Sequence, residues 1–217
     1  MIKNLQKEKE KISFETDMEI SLANAVRRSV NEVQTLAVDT LEISKNDSAL
    51  YDEIVAHRMG LAPLKHENLK LQEECSCKGK GCVKCTAKFK LSAKGPAVVY
   101  STEITPKGSS VYKIPIAILD KNQELEFVAV AKVGKAIDHA KFSPGVIYYR
   151  YVDDVDAETL EKDDENFQKI IEESKKNKNK ELLVSIESWG QMETKEIFIK
   201  AIEVLNKNIK ELVKSIK

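Results

Sequence analysis

Four cysteines stand within eleven residues, Cys75-Ser-Cys77-Lys-Gly-Lys-Gly-Cys82-Val-Lys-Cys85, in the order C-x-C-x4-C-x2-C. Two close pairs joined by a glycine-containing turn can set four thiolates tetrahedrally around one Zn²⁺, with Zn–S about 2.3 Å. Gly79 and Gly81 are where such a loop must double back, and positive φ is expected there. Lys78, Lys80 and Lys84 offset the negative charge of a four-thiolate centre. Free thiols or a local redox pair are the alternatives to a metal, and an iron–sulfur cluster is the alternative to zinc. The ferredoxin run C-x2-C-x2-C-x3-C-P differs from the spacing here, and no proline follows Cys85. Zinc is the better fit, and a closed shell of four thiolates leaves no position for a substrate, so the expected site is structural. All four cysteines lie in this loop, which leaves none for a disulfide framework and suits a reducing compartment.

The elements that must hold this loop can be read from periodicity. A short strand is expected at Lys11–Phe14, then a helix from Met18 to Val33 capped by Thr16 or Asp17, with Leu22, Val26, Val30 and Val33 on its apolar stripe. Leu36–Ile43 alternates as a strand, and Ser44–Asp47 supplies turn residues. A second helix, Ala49–Met59, stops at Gly60 as its C′ residue, with Pro63 beyond. After the cysteines, strands are expected at Lys88–Ser92, Ala97–Ile104 and Glu124–Val130, with breaks at Gly95-Pro96, Pro106–Gly108 and Pro115. From Asp153 to Lys180 the chain is almost wholly polar, with an exposed helix expected near Phe167–Glu173 and then a lysine-rich loop. Leu182–Ile186 reads as a strand broken at Ser188-Trp189-Gly190.

The final helix, Thr194–Lys217, carries the cleanest pattern. Phe198, Ile202, Leu205, Ile209, Leu212 and Ile216 recur at 4-3-4-3-4 spacing, the rhythm of a helix packed lengthwise on another. That seam serves either a partner chain or the helix's own domain. Full burial is worth roughly 1.5–3 kcal/mol per side chain. The fold class expected is α+β, with a β-rich middle separating two helix-bearing ends; if the ends pack together, the middle is an insertion.

Other chemistry finds little support. His57, His66 and His139 are scattered, and no P-loop, G-x-S-x-G or G-x-G-x-x-G stands in the chain. Asp153, Asp154 and Asp156 lie in a charged run without a glycine turn and read as a solvated loop. Lys+Arg and Asp+Glu both total 35, so no net field draws the chain to nucleic acid or an anionic membrane, and 6% aromatic content offers few stacking platforms for single strands. No secretory h-region and no apolar run of about 18 residues is present, and a cytoplasmic protein without a membrane span is expected.

Several stretches together carry a resemblance. Leu22-Ala-Asn-Ala-Val-Arg-Arg28 through Glu32-Val33 and Leu36-Ala-Val-Asp39 resembles the first helix and following strand of the alpha-type subunits of DNA-directed RNA polymerase. Asp52-Glu-Ile-Val-Ala-His-Arg-Met-Gly-Leu-Ala-Pro-Leu64 is similar to the next signature of the archaeal D-type subunit and of the third-largest subunit of eukaryotic polymerase II. The cysteine loop stands where those relatives carry a zinc loop, and His139–Gly145 and Val184–Gly190 are similar to later landmarks in order. Some archaeal relatives carry a further ferredoxin-like insertion with its own cysteines, which this sequence lacks outside Cys75–Cys85.

The resemblance implies a discontinuous dimerisation domain from 1–40 plus 154–217 and an inserted β-rich domain, 41–153, bearing the metal loop 75–85. It implies a non-catalytic assembly subunit that pairs with a small L-type subunit and forms a platform for the two large catalytic subunits, touching DNA only through the complex. Cys75, Cys77, Cys82 and Cys85 would hold the metal. Leu22, Val26 and the final-helix seam would face the small subunit, and Arg27 and Arg28 the large ones, where a guanidinium pair suits carboxylates.

Overall fold

A computed structural model describes residues 1–65, 69–152 and 181–216. The helix and loop expected within 153–180, and His66, lie outside the described residues. Nine strands and three α-helices are seen among the described residues, in the order β1 (Ile2–Lys7), β2 (Lys11–Thr16), α1 (Ile20–Ser29), β3 (Gln34–Asn46), α2 (Asp52–Gly60), β4 (Thr86–Lys94), β5 (Ala97–Tyr100), β6 (Pro115–Leu119), β7 (Glu124–Lys135), β8 (Gly145–Tyr151), β9 (Leu182–Ser188) and α3 (Thr194–Ser215). The fold is mixed α and β.

Both ends of the chain enter one sheet, ordered β1-β2-β9-β8, in which β2 and β8 both run antiparallel to β9. Its apolar face carries Ile12, Phe14, Ile147, Val184 and Ile186, and α1 and α3 supply Ala23, Val26, Ile197 and Ala201 to the same buried cluster. Phe14 meets Phe198 edge-on, with ring centroids 5.6 Å apart. At Gly145 a Cβ would lie 2.1 Å from the Glu187 carbonyl oxygen, so glycine lets β8 close on β9.

The middle forms a second sheet, β3-β7-β4, and a two-stranded β5-β6 ribbon. Leu36, Val38, Phe89, Leu91, Phe127 and Ala129 pack there with Val55 and Met59 of α2. Alternation along β4 places Phe89 and Leu91 inward and Lys88, Lys90 and Lys94 outward. No helix among the described residues is long and apolar enough to cross a membrane.

Several sequence expectations change. Helix α1 begins at Ile20, not Met18, and ends at Ser29, with Val30–Glu32 tightened into a 3-10 turn. Neither Thr16 nor Asp17 caps it: Thr16 is buried at the end of β2, and Asp17 pairs with the amino group of Met1. Gly60 lies inside α2 without a left-handed φ, and Leu61 follows in helical conformation. The Ala97 strand stops at Tyr100, because Ser101–Glu103 turns into a 3-10 segment closed by the Glu103 carboxylate on the Tyr100 N–H at 2.9 Å. Pro115 does not break a strand but opens β6, a position where its missing N–H costs no ladder bond. β8, which the expected boundaries put in the middle, pairs along its whole length with β9.

Candidate metal centre and partner-facing helices

The cysteine loop is closed at its neck by the Lys70 N–H donating to the Lys84 carbonyl at 3.0 Å. Within it Gly79 and Gly81 take φ of +80° and +76°, and Lys78 is also left-handed at +52°. These reversals bring all four sulfurs within 4.8 Å of one another. Sγ separations are 3.6 Å for Cys75–Cys82, 3.6 Å for Cys77–Cys85 and 3.9 Å for Cys82–Cys85. Disulfide sulfurs would lie about 2.05 Å apart. Tetrahedral thiolates at about 2.3 Å from one ion stand about 3.8 Å apart, so the donor set fits a single metal ion.

Crowding splits the thiol acidities. Desolvation works against ionising Cys77, yet hydrogen bonds from Cys75, Cys85, Cys82 and the Gly81 backbone draw it down to about 6. Cys85 accepts the Cys82 N–H at 3.3 Å, which favours its thiolate, but burial and its bonds with the other sulfurs push it up to about 12. A dication held between the sulfurs would favour the thiolate form of its ligands.

On the end sheet, α1 and α3 place the other expected site residues. Arg27 and Arg28 are exposed, and Asn24 Oδ1 orients the Arg27 guanidinium at 2.9 and 3.1 Å. Leu22 is 48% exposed. Val26 lies at 4% in the chain's own core and offers a partner no free surface, because Val26 and Val30 both pack into the end cluster. The α3 seam is divided. Phe198, Ile202 and Leu205 pack partly on the end cluster, beside fully buried Ile197 and Ala201. Beyond Asn208, whose amide donates to Glu32 at 3.0 Å, the helix leaves the body. Ile209, Leu212 and Ile216 are then 50, 60 and 77% exposed, together with Val213, which the 4-3 pattern omitted.

The family described as the RNA polymerase Rpb3/RpoA insert domain matches residues 41–148. The chain is 38% identical over 143 residues to DNA-directed RNA polymerase subunit Rpo3 of Archaeoglobus fulgidus, covering 62% of this chain and 54% of that one. Over 156 residues it is 40% identical to Rpo3 of Pyrococcus horikoshii, covering 69% and 59%. Residues 41–148 of the chain belong to the Rpb3/RpoA insert-domain family. A more distant relative, the RNA polymerase II subunit rpb3 of Dictyostelium discoideum, is 34% identical over 153 residues, 61% of this chain and 50% of its own. The chain thus matches little more than half the length of these Rpb3/RpoA relatives.

The stretches that carry the family resemblance meet in space. Lys141 of the His139–Gly145 stretch reaches Asp39 at 3.2 Å, and Lys132 reaches it at 2.9 Å. Burial opposes ionisation of Asp39, but the two ammonium groups hold its carboxyl below the usual range. Sequence reasoning missed Gln191, whose amide nitrogen donates to the Leu36 carbonyl at 2.8 Å and the Leu64 carbonyl at 2.9 Å. A lone glutamine after a Trp-Gly break carries no periodic signal, so nothing in the sequence marked it.

Proposed function

We propose that this chain is an assembly subunit of a DNA-directed RNA polymerase, which pairs with a small L-type subunit and presents the pair to the two large catalytic subunits. It contributes no catalytic residue and meets DNA only through the complex. Membership of residues 41–148 in the insert-domain family and the likeness to Rpo3 support the setting. The observation that carries the pairing is the outer half of α3, where Ile209, Leu212, Val213 and Ile216 leave an apolar stripe uncovered on a helix that projects from its own core. Isolated apolar surface residues are ordinary, but four in helical register want a facing surface. In this reading the end sheet with α1 and α3 is a discontinuous dimerisation domain, the middle sheet is the insert, and Arg27 and Arg28 face the large subunits. The loop ion is zinc: sulfurs within 4.8 Å of one another leave room for one ion and crowd a larger iron–sulfur cluster.

Co-expression with an L-type subunit and size-exclusion chromatography tests the pairing. The native chain should co-elute, and Ile209→Asp with Leu212→Asp should abolish the heterodimer, because an unpaired buried charge costs several kcal/mol. Both positions are already exposed in the single chain, so its own circular dichroism and melting should not change. Leu205→Asp is a poorer test, since Leu205 also packs on the chain's own core. Co-elution of the double variant at unchanged affinity would exclude this stripe as the interface.

A further inference from the structure

Among the described residues the backbone passes between the two buried clusters twice, from Val33 to Leu36 and from Val133 to Ile147. Two covalent crossings leave two packed units free to swing or twist unless something else ties them. The turn between β9 and α3 supplies a tie. Its flanks belong to the end cluster through Ile186 and Met192, yet its tip reaches the middle unit both at Leu36, where the first crossing ends, and at Leu64, remote in sequence from either crossing. Gln191 uses both hydrogens of its amide nitrogen, donating to Leu36 at 2.8 Å and Leu64 at 2.9 Å. Leu36 and Leu64 are fully buried. Their carbonyls would be left short of a donor if the amide withdrew, and an orphaned buried acceptor is costly.

Both sides of this contact are braced. Leu64 bridges to Ser110, flanked by Lys65 N–H on Ser109 O at 2.8 Å and Val111 N–H on Pro63 O at 2.9 Å. In the turn, the Ser188 hydroxyl donates to the Met192 carbonyl and accepts the Gly190 N–H at 2.9 Å, while Trp189 N–H donates to Pro144 O at 3.0 Å. Gly190 sits at φ +82°, and a Cβ there would meet Tyr112 Oη at 2.6 Å and Val111 Cγ1 at 2.7 Å. The turn therefore approaches the middle unit as closely as a backbone without a side chain allows. Burial and the Glu10 carboxylate keep the Tyr112 phenol protonated, pushed up to about 12, so this side of the contact does not change charge at neutral pH.

We infer that the Ser188–Met192 turn is a latch that sets the angle between the end and middle units, with Gln191 as the side chain that closes it. A braced turn, an amide that donates one hydrogen to each of two segments and a glycine-only approach together resist rotation about the two crossings. The consequence for assembly rests on the function proposed above: a large subunit that spans both units would meet a preset shape and would not have to select one orientation from many.

The test uses the free chain. Spin labels carried on genetically encoded non-cysteine residues at Tyr51, before α2, and Lys210, on α3, report the distance between units by double electron–electron resonance. Amide exchange in β7 and β9 reports whether each sheet stays folded. The parent should give one narrow distance peak. Gln191→Ala and Gln191→Glu should lose that single peak to a broad distribution, with protection in both strands retained, and Gly190→Ala should do the same by forcing Tyr112 away while Gln191 remains. An unchanged narrow peak in both Gln191 variants, or a parent that is already broad, would overturn the latch. Loss of protection in β7 or β9 in a Gln191 variant would also overturn it, since Gln191 would then belong to a core. These readings need no partner chain, so they stand or fall separately from the assembly role.

Discussion

Cys82 shows why so little sequence suffices for the metal loop. Its Sγ lies 3.6 Å from Cys75 and 3.9 Å from Cys85, while its carbonyl accepts from Cys85 N–H at 2.9 Å, Thr86 N–H at 2.8 Å and Thr86 Oγ1 at 3.1 Å. One residue can thus donate to a metal and anchor the start of β4. Purified protein should be colourless and hold about one zinc per chain by elemental analysis, the stoichiometry of a closed four-thiolate site. Cys82→Ser should lose that metal and raise amide exchange from Glu73 to Lys88, while β2 and β9 stay protected, because the loop leads into β4 of the middle sheet and β2 and β9 belong to the other one. A brown sample with an iron charge-transfer band would refute zinc, and unfolding of β2 and β9 would refute the loop's independence.

Between elements, charge ties the middle sheet where apolar packing ends. Glu124 at the start of β7 receives Lys94 of β4 at 2.8 Å and Lys45 of β3 at 2.9 Å. Hydrogen bonds from Lys94 and then Lys45 hold its carboxyl down at about 2, against an ordinary value of 4.5. A depressed folded-state pKa stabilises fully above 4.5 and loses that contribution as pH falls toward about 2. Glu124→Gln should therefore show a shallower decline in Tm across that acid window than the parent, and added salt should shrink the difference because the group is solvent-facing. Parallel curves would show that the network adds nothing to folding. Element by element, legibility followed burial pattern. The start of β3, Leu36–Ile43, was read as a strand from its alternation, and α3 as a helix from its period. β1 did not: Ile2–Lys7 is exposed at every position, so no alternation marks it, and only its pairing with β2 makes it a strand. β6 was hidden because Pro115 was read as a breaker, although an edge position tolerates it.

At the scale of the whole molecule, the proposed division of labour separates the end helices by chemistry, with apolar residues for the small partner and Arg27 and Arg28 for the large ones. Arg27→Ala with Arg28→Ala should leave the small heterodimer intact on size-exclusion chromatography and reduce recovery of the large subunits in a reconstituted assembly. Both side chains are exposed and neither enters the core. Loss of the small heterodimer itself would sink the division. The metal loop and the α3 period were determined by the sequence alone, because ligands within eleven residues and apolar positions on one helix need no distant partner to be recognised. Tertiary structure alone decided that β1 and β2 share a sheet with β8 and β9, that Val26 turns inward, that the seam is half covered and half bare, and that Gln191 joins the two units. Gln191 reaches carbonyls 155 and 127 residues away, and contacts across such separations leave no mark on local periodicity, since they depend on which surfaces the packed elements bring together.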